Sequence, residues 1–319
     1  MDVLWLTVLV VILGGWSVLD GFVIGLGMLL PRLADGPVGR RLVLTGMGPF
    51  FLPNEVWLIA AAGVMTAAFP HFEANLLSGC WPIVIAMLAS WIAKDAATWF
   101  RSRREPDQWR TFWDRTLAAA CLCFALSFGL LVGNILEGLP GAGGREFLRL
   151  FNPFTVLCAL ATALLFALHG ASFVALRVPG APAERARRLA AMLLRPALAA
   201  LALAAVAGVL WSGVRDAVVW PVPALVLLVA GAAAVVLSGR AATARPGRAF
   251  ALTAIGAATP VLVALTGLGA TVLKGGTDAA SLSAFASMAV PVLPVLLLAQ
   301  AWLWWTFRHP VGDRSPVFF

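Results

Sequence analysis

Apolar residues in this chain come in runs of about 20, separated by short polar turns, and a run of that length is what an α-helix needs to cross a bilayer. Such windows lie near 3–31, 47–69, 74–100, 116–137, 152–177, 191–214, 218–238, 249–273 and 284–308, which predicts nine helices. The weakest division is at Arg215-Asp216 and Pro221/Pro223, where two runs are separated by a very short turn. Pro31, Pro70, Pro140, Pro179 and Pro310 fall at run ends, whereas Pro260, Pro291 and Pro294 fall inside late runs and are expected to kink them. The pattern predicts an all-α polytopic membrane protein with nine transmembrane helices, arranged as two four-helix bundles plus one peripheral helix. It forms one integral membrane domain over 1–319, with a front part at 1–178, a rear part at 190–308 and a basic inner loop at 179–195 between them. No loop is long enough to hold a soluble domain.

Composition closes off the soluble alternatives. The chain is 61% hydrophobic and 12% charged with mean hydropathy +0.93, which excludes a water-soluble globule of ordinary composition. Asp2 stands where a cleaved signal would carry basic residues, so the first run is expected to be retained as a span. Tyr is absent, and alanine dominates the second half, a composition that suits close helix packing through small residues. The net charge of +8 lies in short turns between apolar runs, where it sets orientation; nucleic acid is not an expected partner. Cys80, Cys121, Cys123 and Cys158 fall in or beside apolar runs without zinc-site spacing and read as small core residues, so no metal site is expected.

The basic residues also test the helix count. Alternate turns and the tail carry 18 of the 23 Lys and Arg residues, the other turns carry only Arg145, Arg149, Arg215 and Lys274, and Lys94 lies within the third run. Under the positive-inside rule this asymmetry predicts nine spans with the N-terminus outside and the C-terminus cytoplasmic.

Within the apolar runs the polar residues are few. The stretch Gly46 to Pro70, GMGPFFLPNEVWLIAAAGVMTAAFP, places Asn54, Glu55 and Trp57 at the expected mouth of a span. Glu55 there reads either as a helix-start acid stabilised by the N-terminal dipole, with Trp57 as interfacial anchor, or as an intramembrane functional carboxylate. Asp20 lies among Gly14, Gly15, Gly21, Gly25 and Gly27, and the Gly21/Gly25 face lets a partner helix approach a buried acid. That acid reads as a member of a proton path, as an inter-helix clamp or as a structural carboxylate paired with an arginine or an amide. Lys94 and Asp95 are adjacent, hence about 100° apart on a helix, and each is expected to meet water or headgroups at the inner surface instead of its neighbour. Trp109 and Trp113 in EPDQWRTFWDR read as an interfacial anchor. Asn134 and Glu137 share one helical face at the other surface. His169 is the one histidine inside a run, since His71 and His309 lie in turns; it reads as a satisfied core histidine, because a haem with both axial ligands from this chain lacks a second intramembrane histidine. No Walker motif, GxSxG elbow or HExxH motif is present.

Several of these segments resemble, in order and across nearly the whole length, subunit II of cytochrome bd-type quinol oxidases. They are DGFVIGLGMLLP (20–31), Arg40-Arg41, GPFFLPNEVWLIAAAGVMTAAFP (48–70), Trp109-Arg110, GNILEGLP (133–140), FNPFTVL with LHGASFVALR (151–177) and PVLLLAQAWLWWTFR (294–308). The resemblance implies a nine-helix subunit of the bacterial-type inner membrane. Its partner is a subunit I that holds haem b and haem d, and the complex oxidises quinol and reduces oxygen to water. No cofactor is bound by this chain alone, and small accessory subunits are optional further partners. The family's first motif usually carries a second acid where this chain has Val23, and its second motif carries Trp and Asp where this chain has Phe51 and Leu52. That aspartate is associated in the family with proton delivery, which leucine cannot perform. Asp20, Asn54, Glu55 and Trp57 do match and carry over as candidates for a polar surface facing subunit I or for a proton path.

The alternative is a membrane transporter or a non-respiratory paralogue, although no internal repeat relates 1–151 to 190–308. The charge asymmetry makes a prediction of its own. Cysteines introduced at Arg104 and Arg187 should resist a membrane-impermeant thiol reagent in intact cells, whereas one at Gly143 should react; labelling at Arg187 from outside would overturn the nine-span topology.

Overall fold

A computed structural model of the chain describes residues 2–138 and 147–312. Leu139, Pro140, Gly143 and Arg145 in one turn, and Arg314 in the tail, lie outside the described residues. Among the described residues there are twelve α-helices. They are α1 (Asp2–Leu33), α2 (Gly36–Ala68), α3 (Pro70–Gly79), α4 (Trp81–Phe100), α5 (Asp107–Leu136), α6 (Pro153–Arg177), α7 (Ala181–Leu210), α8 (Ser212–Ala217), α9 (Pro221–Ala241), α10 (Pro246–Gly267), α11 (Gly269–Lys274) and α12 (Ala279–Thr306). Nine of these are long and apolar enough to cross a membrane, and they follow the nine predicted runs.

The differences lie at the ends. The third run breaks at Cys80, because Pro82 has no N–H to give to the carbonyl one turn earlier, and the chain restarts as α4. The stretch read as a basic loop at 179–195 is largely the start of α7; the turn is confined to Gly180, whose φ of +72° is left-handed. Its arginines therefore project from a helix. The short α8 occupies the weak division after α7. Trp109 and Trp113 belong to the first turns of α5, where the Trp109 indole donates to Phe100 O at 2.8 Å and the Arg104 guanidinium lies over its ring.

The centre of the fold is α6. Helices α1 and α5 pack on one part of it, with α2 against α1 and α4 against α5; α7 and α10 pack on another part, with α9 between them. The two helix groups are thus joined through α6, and α12, only 6% buried along its span, lies at the periphery against α2. Small residues set these distances. At the α1/α6 crossing a Cβ on Gly25 would lie 1.8 Å from Phe166 O, and one on Gly170 would lie 2.2 Å from Leu26 N, so the two backbones touch. Gly129 and Gly133 of α5 meet Ala159 and Thr155 of α6 in the same manner. Around Gly21, a core of Trp16, Phe128 and Phe166 fills the remaining space.

Contacts between connections sort the helix ends onto two faces. On the arginine-rich face, Arg185 pairs with Asp35 and holds that exposed carboxyl below the usual carboxylate range. There too Arg177 donates to Phe307 O while Val311 N donates to Arg177 O at 2.9 Å. On the opposite face, Thr277 N donates to Ala68 O at 3.1 Å and Val219 N to Gly267 O at 2.9 Å. Also on that face, Asp278 caps α12 by accepting from Ala280 N and Ser281 N, donors that hold its carboxyl low.

Gly170→Val forces two backbones apart and is expected to destabilise the fold by roughly 3 kcal/mol. Gly63→Ala, where a Cβ meets nothing within 4 Å, should leave stability unchanged. Thermal unfolding of the purified complex followed by size-exclusion chromatography measures both, and equal behaviour of the two variants would contradict the α1/α6 contact.

Candidate functional site

The acid at position 55 is not at a helix start. Helix α2 runs from Gly36 to Ala68 unbroken through Pro49 and Pro53, so Asn54 and Glu55 sit near its middle, away from both the capped end and the interfacial mouth at which the sequence reading puts them. The two prolines remove N–H groups that would have bonded the carbonyls of Thr45 and Pro49, yet the helix persists because its neighbours hold it. With no terminal amides beside it, Glu55 needs another source of positive charge.

That source is Lys94 of α4. Its side chain is 1% exposed, and its Nζ lies 2.5 Å from Glu55 Oε1, 3.8 Å from Asp20 Oδ2 and 3.7 Å from Asp95 Oδ1. The Phe51 ring closes the remaining side, with its centroid 4.9 Å from Nζ. Lys94 therefore does not reach water or headgroups, and it does meet Asp95, contrary to the sequence expectation. Adjacent residues diverge on a helix, but the long lysine stem swings its head back to within ion-pair distance. Asp95, with about a third of its side chain exposed, forms the rim of the cluster, and Asp20 and Glu55 lie deeper. Three carboxyl groups face one ammonium, a composition that serves either as a clamp between α1, α2 and α4 or as a place to exchange a proton.

The other matched residues continue inward from this cluster. Asn54 donates to Leu19 O at 2.6 Å, Gln300 of α12 donates to Asn54 Oδ1 at 3.0 Å, and the Trp57 indole donates to Gln300 Oε1 at 3.3 Å. This amide chain is how the peripheral α12 is held to α2 and α1. Asp20, Asn54, Glu55 and Trp57 are all buried within this chain. The aliphatic replacements part company: Val23 is buried, whereas Leu52 is exposed.

His169 uses both ring nitrogens, Nδ1 with Thr253 Oγ1 at 2.9 Å and Nε2 with Val18 O at 3.0 Å, and it stacks on Phe250. Asn134 donates to Leu150 O, and Glu137 accepts from Asn152 Nδ2 at 2.8 Å, so the two share a polar knot that ties the end of α5 to the start of α6. Cys80, Cys121 and Cys158 are buried, and Cys123 faces outward.

Two partners escaped the sequence reading. Nothing in the run AMLASWIAKDAATWF says which way Lys94 turns, and Asp114 is one charge among several in EPDQWRTFWDR. Asp114 is 1% exposed and accepts from Arg101 Nε at 2.5 Å and Arg40 at 3.1 Å, which anchors the α1/α2 turn to α5. An acid within an apolar helical spacing, Asp114 with Leu117 and Cys121, was the available signal.

Comparison with known proteins places these features in context. Residues 1–307 match the family described as cytochrome bd terminal oxidase subunit II. A Bacillus subtilis protein, "Cytochrome bd ubiquinol oxidase subunit 2", is 27% identical over 99% of this chain and 98% of its own length. An Escherichia coli K12 protein, "Cytochrome bd-I ubiquinol oxidase subunit 2", is 32% identical over 64% of this chain and 56% of its own length. A Haemophilus influenzae protein, "Probable cytochrome oxidase subunit 2", is also 32% identical, and the match spans about half of that protein, 51%. In fold, the chain is similar to a chain of the bd oxidase from Geobacillus thermodenitrificans, with TM-score 0.61 at 12% identity over 97% of this chain and 99% of that one. With a family match that runs from the first residue through the end of α12, this multi-pass membrane protein belongs to the cytochrome bd terminal oxidase subunit II family.

Proposed function

We propose that this chain is the supporting subunit of a quinol oxidase, paired in the membrane with a subunit I that carries haem b and haem d, and that Lys94's cluster is a structural clamp instead of a proton relay. The observation that carries the clamp reading is the placement of Lys94: a fully buried ammonium bonded to Glu55 and flanked by Asp20 joins three helices, and separating them would leave charges uncompensated in an apolar interior. Protons then enter the complex elsewhere. The absence of acids at positions 23 and 52 supports this, since neither valine nor leucine binds a proton.

The residues of this chain do not fit a haem. His169 has both ring nitrogens engaged in hydrogen bonds, and His71 and His309 sit beyond the ends of spans on opposite faces. The haems and the quinol chemistry accordingly belong to the partner, and this chain contributes scaffold and a docking face. Its orientation, N-terminus outside and C-terminus cytoplasmic, follows from the arginine-rich face being the cytoplasmic one.

Three measurements test this reading. The isolated chain should show no haem Soret band, and the chain co-purified with its partner should show one; stoichiometric haem in the isolated chain would sink the assignment. Asp20→Asn and Glu55→Gln each leave Lys94 two other carboxyl partners, so quinol oxidase activity should survive both. Loss of most oxygen reduction in either variant, with normal assembly and haem content, would mean that protons do pass through this chain. Lys94→Met removes the only cation of the cluster and should destabilise the complex by about 3–5 kcal/mol, read as lost yield and a lowered melting temperature. Combining it with Asp20→Asn and Glu55→Gln should restore part of that loss, whereas no restoration would argue against the clamp.

A further inference from the structure

On the arginine-rich face, the turn between α9 and α10 borders an open cavity of about 240 Å³ lined by Leu237, Arg240, Ala241, Ala244, Arg245 and Arg248. Three arginines thus border one small space. Some other arginines of this face have partners within the chain: Arg40 and Arg101 pair with Asp114, Arg185 with Asp35, and Arg177 and Arg308 donate to carbonyl oxygens. The side chains of Arg240, Arg245 and Arg248 have no ion-pair or hydrogen-bond partner among the described residues.

Local electrostatics makes the cluster unfavourable as it stands. Arg245 occupies the N-cap of α10 without a side-chain cap, Arg248 lies in the first turn, and that turn contains no acid. Cations gathered at the positive end of a helix repel one another and the helix dipole together, and an anion seated among them reverses all of these terms.

Depth decides which anion. Arg240 lies at the end of one span and Arg245 and Arg248 at the start of the next, so the cavity is at the level of lipid headgroups. One turn deeper, Val236 and Leu237 are 40% and 41% exposed, and deeper still Val229 and Val226 continue an apolar strip along α9. A phosphate in the cavity with acyl chains along that strip satisfies both halves of the surface, whereas a soluble anion would use only the first. Arginine forks suit phosphate oxygens, and basic pockets between spans on the cytoplasmic side are suited to anionic headgroups.

We propose that Arg240, Arg245 and Arg248 form a binding site for the phosphate of an anionic phospholipid, whose acyl chains lie along α9. The inference is independent of the reading of the Lys94 cluster.

The test uses the assembled complex, delipidated in mild detergent and titrated with phosphatidylglycerol or phosphatidylcholine, with bound lipid counted by native mass spectrometry. The variant R240Q/R245Q/R248Q should bind phosphatidylglycerol on the order of tenfold more weakly or worse, with phosphatidylcholine unaffected. A control that removes three cations elsewhere on the same face, R103Q/R104Q/R110Q, should keep wild-type retention at this site. Equal loss in both variants would show bulk surface charge and overturn the proposal, as would unchanged binding in the first. Inorganic phosphate at millimolar concentration should displace no bound lipid; full displacement would make the site one for a soluble anion. Thermal stability of both variants in detergent without lipid should match wild type, so that a loss of binding cannot be a loss of fold.

Discussion

A lysine head group with no route to water has to be met by carboxylates wherever the chain folds, and much of the front half is arranged to meet that demand. Lys94 comes from α4, Glu55 from α2 and Asp20 from α1, so the ammonium is neutralised only when those three helices are in register. Phe51 covers the open side, and Asp95 stands at the rim. Attraction between unit charges is large in a poorly polarisable interior and so is the penalty for leaving one unpaired, which makes the arrangement selective even where its net contribution to stability is small. The unbroken course of α2 through two prolines belongs to the same constraint, because a break at Pro53 would turn Glu55 away from Lys94.

The second organising contact is steric. Helix α6 touches α1 at Gly25 and Gly170 and touches α5 along Gly129 and Gly133, so its neighbours approach to backbone contact on two sides. In a bilayer, where apolar side chains gain little by leaving lipid, such approach and the dispersion it permits hold helices together. His169, bonded to Val18 O of α1 and to Thr253 of α10, fixes the rotation of α6 between both groups. The front and rear parts are therefore joined by a common helix, and the joint has little freedom to slip.

The arginines of one face divide into those with internal partners and those left for others. Asp114 draws Arg40 and Arg101 inward and ties two turns together, whereas the turn after α9 places three arginines beside a cavity with no acid among its lining residues. The peripheral α12 shows the same division along its length. Gln300 binds it to Asn54 and Trp57, and most of its remaining surface, including Met288, Val295 and Trp302, is left exposed.

Membrane class, the number of spans and the alternation of two faces were determined by the sequence alone, because crossing a bilayer demands an apolar run of fixed length and the basic turns then separate by face. The residues Asp20, Asn54, Glu55 and Trp57 were also visible there, since a polar side chain inside such a run stands out without any structure. Their partners were not. Whether Lys94 turned to the surface or to Glu55, 39 positions earlier, depends on helix rotation and on the reach of a flexible stem, and neither leaves a mark in the order of residues. The same holds for Gln300, which reaches Asn54 across 246 positions, and for the helical course of 181–195, which the charge pattern alone presents as a loop. Local composition decides what can live in the membrane; only the packed helices decide which of the few polar groups meet.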